Sequence, residues 1–283
     1  MRPAFRAFLV ICIVGLSWFQ FGQPRGFEEL EQRFADNFDS RPARQILLLG
    51  NSRTYCNHMP QMLREIADSA GSPQKYEITQ QVPAGSSLEL LWDNAYTQLL
   101  LQQTWDDAIV QAESRAFSSP SLTESFKTYG PKLLSAIKLH SGRPDLVVNW
   151  SYDPTAAYPF TESQRDTYQN EINIGHEFIA KKSSAHQIKL STVWNDVRRN
   201  HPEIAMTSDG NHPTLAGSYL YALLLYGDLS YGEIAKVTFV PSGLSPQTAT
   251  VMKDAIARYL PMGSEYRGTL AFIDTQGRPL TTQ

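Results

Sequence analysis

Ser52 stands in the run Gly50-Asn51-Ser52-Arg53-Thr54, and an acid and a base stand together in Asp209-Gly210-Asn211-His212-Pro213. A serine hydroxyl is barely ionised at neutral pH. It becomes a nucleophile when a histidine takes its proton, and that histidine is held in the useful tautomer by a carboxylate. Only Gly210 and Asn211 separate Asp209 from His212, so one loop can present both to a single site. The chemistry open to such a trio is acyl transfer through a serine ester. Each fragment also has an ordinary explanation: Ser and Asn are common turn residues, Asp209 can cap a turn, and a histidine before proline can fill one. It is their conjunction in one chain that favours the chemical reading.

For these groups to work, the fold must carry them to one edge. Gln45 to Gly50 is a short continuous apolar run closed by glycine, the pattern of a strand buried on both faces, and Ser52 follows on the corner. The corner is not the G-x-S-x-G elbow of α/β-hydrolases, since Thr54 stands where the second glycine would be. Met59, Met62, Leu63, Ile66 and Ala67 then recur at helical spacing, with Pro60 in the first turn and Gly71 just past the end, which predicts a helix over Pro60–Ala70. The rhythm continues with strands over Tyr76–Val82, Asp107–Gln111, Asp145–Trp150 and Gln187–Val193. Helices are expected over Ser87–Gln103, Thr123–His140 and Ser163–Ser183. Strands separated by helical crossovers argue a parallel sheet covered on both faces, an α/β fold whose ligands bind beyond the carboxyl ends of the strands. Two further helices are expected over Pro213–Tyr226 and Ser245–Leu260, and the tail from Tyr266 to Leu280 reads as a β-hairpin appendage.

The chain has 283 residues, enough for one large domain to bury a core without disulfide or metal staples. Its formal charge of −3 is too balanced for a protein built to grip nucleic acid. Arg2 and Arg6 flank an apolar run from Ala7 to Phe21, the layout of a signal sequence. As a helix this run spans about 22 Å, short of the roughly 30 Å hydrocarbon core, and export is the expectation. Gly22 to Gly26 holds no clear small-x-small cleavage site, so a cleaved leader and a retained membrane tether both stay open. Cys12 follows the bulky Ile11, which argues against lipidation, and Cys56 is the other cysteine, so no disulfide framework is implied. The boundaries expected are a leader over 1–26, a catalytic domain over 27–262 and the appendage over 263–283.

Taken together, GNSRT after the first strand, VPAGSS after the second, WDDAIVQAES around the third and DGNHP before the late helix resemble the SGNH, or GDSL-type, hydrolases in order and spacing, over about Gln45 to Leu225. The resemblance implies a three-layer α/β/α sandwich of the flavodoxin-like kind with a five-stranded parallel sheet. It makes Ser52 the nucleophile, His212 the general base and Asp209 its orienter, with no cofactor. The tetrahedral oxyanion of such a reaction needs preplaced donors. The resemblance offers the backbone N–H groups of Ser52 and Gly85. The family's third donor, an asparagine in a G-x-N-D block after strand three, is missing. Val110-Gln111-Ala112-Glu113-Ser114 stands there instead, similar to an LQxxS variant of some branches, so Gln111 is the candidate third donor and Asn149 a poorer one.

Around the trio, Asn57 could line the pocket, and Arg53 could either bind an anionic substrate or solvate its loop. Trp92, Trp105, Trp150 and Trp194 could stack on sugar rings or belong to the core, and Cys56 reads as packing. His58, His140, His176, His186 and His201 show no metal-ligand spacing, so no metal is expected. The resulting expectation is an exported serine esterase acting on small acyl groups, including O-acetyl groups of carbohydrate. An O-acyltransferase using the same trio and a non-catalytic carbohydrate-binding or scaffold protein are the alternatives.

Overall fold

The structure, a computed structural model, describes residues 39–155, 157–230 and 233–270. The leader, and the hairpin from residue 271 onward, lie outside them. Among the described residues no helix is long and apolar enough to cross a membrane. Residues 43–72 and those from 76 onward form one compact unit, while residues 39–42 group with 73–75, where Asp39 and Arg41 are ion-paired at 2.6 Å.

The strands are β1 (Ala43–Leu49), β2 (Lys75–Gln81), β3 (Asp107–Gln111), β4 (Pro144–Val147) and β5 (His186–Ile188). They form one five-stranded parallel sheet in the order β2-β1-β3-β4-β5. The register sets Leu49 of β1 opposite Val110 of β3, Val110 opposite Leu146 of β4, and Val147 opposite Ile188 of β5. The chain runs outward from β1 to β2 and then returns to place β3 on the other side of β1. That reversal opens the crevice at which parallel sheets bind ligands, and there Ser52 follows the end of β1 and Gln111 closes β3.

Nine helices are described: α1 (Ser52–Tyr55), α2 (Met59–Ser69), α3 (Leu88–Asp93), α4 (Ala95–Leu101), α5 (Pro120–Ser141), α6 (Glu162–Ser183), α7 (Leu190–Asn200), α8 (Leu215–Leu229) and α9 (Pro246–Leu270). Strand side chains alternate between two cores, because successive residues of a strand point to opposite faces. Ile46, Leu48, Ile109, Val147 and Ile188 pack with α2, α7, α8 and α9. Leu47, Leu49, Ala108, Val110 and Leu146 pack with α3, α4, α5 and the Ile179-Ala180 end of α6. This is the expected α/β/α sandwich. Helix α8 is buried on nearly every side, as an all-round apolar helix must be.

Several expected boundaries move. The strand expected over Gln187–Val193 ends at Ile188, and α7 begins at Leu190. Leu190, Val193, Trp194 and Val197 are buried, and their spacing is that of one helix face rather than of a strand. The helix expected over Ser87–Gln103 breaks at Asn94, whose extended backbone ends α3 and whose side chain accepts the Thr97 N–H to start α4. Tyr266–Leu270, read as the start of a hairpin, are the last residues of α9.

Candidate active site

Ser52 is set by the way β1 ends. A Cβ at Gly50 would lie 2.6 Å from Thr54 Oγ1 and 2.9 Å from Gln111 Oε1, so the corner closes only with glycine there. Asn51 caps the short helix α1 by accepting the Arg53 N–H at 3.1 Å. Its own backbone N–H donates to Gln111 Oε1 at 3.2 Å, and the Thr54 hydroxyl donates to the same oxygen at 2.9 Å. Asn51, Thr54 and Gln111 are all buried, so these bonds fix the turn to the end of β3 in a setting where losing them is costly.

His212 reaches this turn from a residue separation of 160, with Nε2 at 2.9 Å from Ser52 Oγ. On the other side of the ring Nδ1 lies 2.7 Å from Asp209 Oδ2. The second carboxylate oxygen of Asp209 accepts the backbone N–H groups of Asn211, at 2.8 Å, and His212, at 2.7 Å. Partial burial works to raise the Asp209 pKa, but the His212 imidazole and these two N–H groups outweigh it and hold the carboxyl down to about 2. An ionised Asp209 favours a proton on Nδ1, which leaves the Nε2 lone pair facing the hydroxyl. Ser52, His212 and Asp209 are thus brought together in the order that the chemistry requires.

The loop bearing Asp209 and His212 is held by its neighbours. Gly210 has a φ of +86°, and a Cβ there would lie 2.8 Å from the Asp153 carbonyl. Its own carbonyl accepts the Asp153 N–H at 2.8 Å, and the Trp150 indole N–H donates to the Asn211 carbonyl at 3.2 Å. Arg53 completes the set from the opposite side. It is buried and neither solvates its loop nor faces outward to an anion. Its guanidinium donates to the Trp150 carbonyl at 2.6 Å and to Asn211 Oδ1 at 3.1 and 2.9 Å, and it stacks over the Trp150 ring at 4.3 Å. Burial lowers the Arg53 pKa to about 10, which still leaves it charged at neutral pH. Neither role that the sequence suggests for Arg53 is the one it takes, because its letter announces a charge and not where the charge is housed.

The donors for a developing oxyanion sort differently from expectation. The N–H groups of Ser52 and Gly85 have no acceptor among the described residues. The loop of Gly85 is tied to the Ser52 turn by Asn51 Nδ2 donating to the Ser86 carbonyl at 3.2 Å, and Gly85 takes a φ of +66°. Gln111 is not poised as a third donor: its amide oxygen braces the turn and its NH2 donates to the Ala112 carbonyl. Asn149 is also engaged, donating to that same carbonyl at 2.6 Å from a buried position.

The remaining candidates take structural places. Asn57 adopts a left-handed backbone and donates to the Pro213 carbonyl and to Ser218 Oγ, both at 2.9 Å, strapping the end of the His212 loop to the segment that follows Ser52. Trp150 and Trp194 stack on each other in the core at 4.0 Å between ring centroids, and Trp105 is buried, so these three offer no face to a sugar. Trp92 is partly buried against the α3–α5 core, with Lys132 above its ring. Cys56 is half-buried, and burial pushes its thiol pKa up, which suits packing rather than nucleophilic work. His186 joins Asp145 and Asp228 in a group whose ligand atoms lie within 4.8 Å of one another, a proximity the linear spacing does not reveal. There Arg143 is ion-paired with Asp145 at 2.9 Å, and His186 Nε2 lies 3.0 Å from Asp228 Oδ1. Asp145 and His186 pair at the start of β4 and β5, so the group belongs to the sheet edge opposite the Ser52 turn.

No family model and no curated protein matches the sequence. Solved structures do resemble the fold. A protein from Slackia heliotrinireducens assigned to the SGNH hydrolases is 26% identical, with a TM-score of 0.55 over 65% of this chain and 97% of that one. A DUF4886 family protein from Bacteroides uniformis is 18% identical, with a TM-score of 0.60 over 77% of this chain and 95% of its own. An acetyl xylan esterase from Geobacillus stearothermophilus is 14% identical, with a TM-score of 0.55 over 71% of this chain and 99% of its own. The fold is therefore that of SGNH-type esterases and lipases.

Proposed function

We propose that the protein is an exported serine ester hydrolase that removes small acyl groups, O-acetyl groups of carbohydrate above all, through an acyl-Ser52 intermediate. The observation that carries the reading is the Ser52 hydroxyl at 2.9 Å from His212 Nε2 with Asp209 bonded to the other ring nitrogen. In the reaction, Ser52 Oγ attacks the ester carbonyl while its proton passes to His212 Nε2. The tetrahedral oxyanion is met by the backbone N–H groups of Ser52 and Gly85. His212 then gives the proton to the leaving alcohol, and water repeats the sequence to release the acid and restore Ser52.

The carbohydrate ester assignment is supported by the setting of the site and by one structural neighbour. Side-chain exposures of 34% at His212 and 50% at Asp209 leave the base loop open to a bulky alcohol portion. The Geobacillus neighbour is an acetyl xylan esterase. Export is supported by Arg2, Arg6 and the apolar run from Ala7 to Phe21.

The test is labelling with a fluorophosphonate followed by peptide mapping, together with hydrolysis of p-nitrophenyl acetate and an acetylated xylan. The label should map to Ser52, and Ser52→Ala should lower kcat by about 10⁴-fold or more with the fold intact. Turnover in Ser52→Ala equal to that of the wild type would end the reading.

A further inference from the structure

We infer that Arg53 is a positioning residue: by gripping the Asn211 side chain, its buried guanidinium holds His212 at the Ser52 hydroxyl. The inference deepens the proposed function and rests on His212 being the base of that reaction.

Arg53 is only 1% exposed. Burying a cation is expensive, and replacing a buried charged group by a well-packed apolar one is often neutral or stabilising, so stability alone is a weak reason for an arginine here. The usual compensation is also missing. No carboxylate accepts a hydrogen bond from this guanidinium among the described residues. It is served by one backbone carbonyl, one amide oxygen and two aromatic rings, Trp150 at 4.3 Å and Tyr152 at 5.6 Å.

Its partners converge on a single object. Asn211 Oδ1 takes two of the guanidinium N–H groups, and Asn211 lies between Asp209 and His212 in the chain. Trp150 takes a third N–H on its carbonyl and returns a bond from its indole to the Asn211 carbonyl at 3.2 Å. Arg53, Trp150 and Asn211 therefore close a ring of hydrogen bonds. On one side of that ring the neighbour of Arg53 is the nucleophile, and on the other the neighbour of Asn211 is the base. A cross-link one residue out on each side fixes how far apart Ser52 and His212 can stand. An error of about 1 Å in such a placement can cost on the order of 10²-fold in rate. The planar fork of arginine can donate twice to Asn211 while its Cζ sits 4.3 Å from the Trp150 ring centroid, whereas a lysine ammonium is a point donor on a flexible stem.

The experiment uses the full chain with Asn211→Ala, Asn211→Asp and Arg53→Lys. Asn211→Ala removes the acceptor at a half-buried loop position, so it tests the clamp even if changes at Arg53 fail to fold. Expected for Asn211→Ala are a kcat about 10- to 100-fold lower with KM within about twofold, and a crystal structure with the imidazole withdrawn from Ser52 Oγ. Asn211→Asp, which keeps an acceptor, should recover most of the lost rate. Arg53→Lys should fall near Asn211→Ala. A folded Asn211→Ala with kcat within twofold of wild type and His212 still in place would overturn the inference. Should the wild type show no ester turnover, the hydrolase reading falls separately, and the crystallographic position of His212 alone decides the clamp.

Discussion

Asn51, Arg53 and Thr54 are each at most 3% exposed, whereas the Asp209 side chain is half exposed and that of His212 a third. The two regions meet at the Ser52–His212 hydrogen bond and at the Arg53–Asn211 contact, yet are held by different means. The nucleophile turn is a continuation of the sheet: β1 delivers it, Gln111 at the end of β3 fixes it, and the core closes around it. The base loop rests on the surface and is placed by tethers, namely Arg53 to Asn211, Trp150 to Asn211, Asp153 to Gly210 and Asn57 to Pro213. Apart from Ser52 itself and Arg53, which reaches into the second region, changes in the first region should therefore register as stability, and changes in the second as rate.

The widest separation between the two readouts is expected at His212. His212→Ala should lower kcat by about 10⁴- to 10⁶-fold, because without the imidazole nothing takes the Ser52 proton. The melting temperature should move by no more than about 2 °C, since the side chain contributes little to either core. A large fall in melting temperature would mean that the loop is part of the folded framework and would break the contrast.

Asp209→Asn comes next, with a loss of about 10³- to 10⁴-fold from the wrong imidazole tautomer. It also has a signature in acid. The folded carboxyl is held down to about 2 against roughly 3.9 in an unfolded chain. Its contribution to stability is thus fully present above about pH 4 and is lost as the pH falls through about 2. Urea unfolding between pH 5 and pH 2 should show that acid-side loss in the wild type and a weaker one in Asp209→Asn. The partial exposure of the group keeps the difference small.

The same contrast decides what the letters alone reveal. The parallel sheet was readable because strands buried on both faces must be continuous apolar runs, as in Ile46 to Leu49. That Ser52, Asp209 and His212 should meet was readable because proton transfer restricts the residue types that can do it. The stretch from Gln187 to Trp194 was not, since Ile188, Leu190 and Val193 suit a strand in composition while Leu190, Val193, Trp194 and Val197 share a helix face, and only packing against α9 and α8 separates the two. Arg53 and Gln111 were visible but their roles were not, for a related reason: one is a charge and the other an amide, and burial turned both inward into supports. The break at Asn94 was hidden because the apolar spacing continues across it from Leu91 to Leu101.

Gln111 lets the first region be tested by stability. Gln111→Leu would leave the Asn51 N–H and the Thr54 hydroxyl without their shared acceptor in a buried setting, at a cost of about 1–3 kcal/mol for each unsatisfied group. The urea midpoint should fall accordingly and remain below that of His212→Ala and Asp209→Asn. Equal midpoints across these three variants would mean that Gln111 is not what joins the turn to β3.

Asn57 sharpens the contrast at its weakest point, because it belongs to the nucleophile segment by sequence and to the base loop by contact. Its φ of 53° places it in the left-handed region, so Asn57→Ala would mix backbone strain with the loss of two hydrogen bonds. Asn57→Gly keeps that backbone within easy reach and removes the amide alone. If the strap to Pro213 is one tether among several, this variant should lose about 1 kcal/mol of stability and no more than about threefold in kcat. A loss of about 100-fold would move the main anchor of His212 from the Arg53 side of the loop to its Pro213 end, because two tethers on one short loop are redundant only while either can hold the imidazole in line with the hydroxyl.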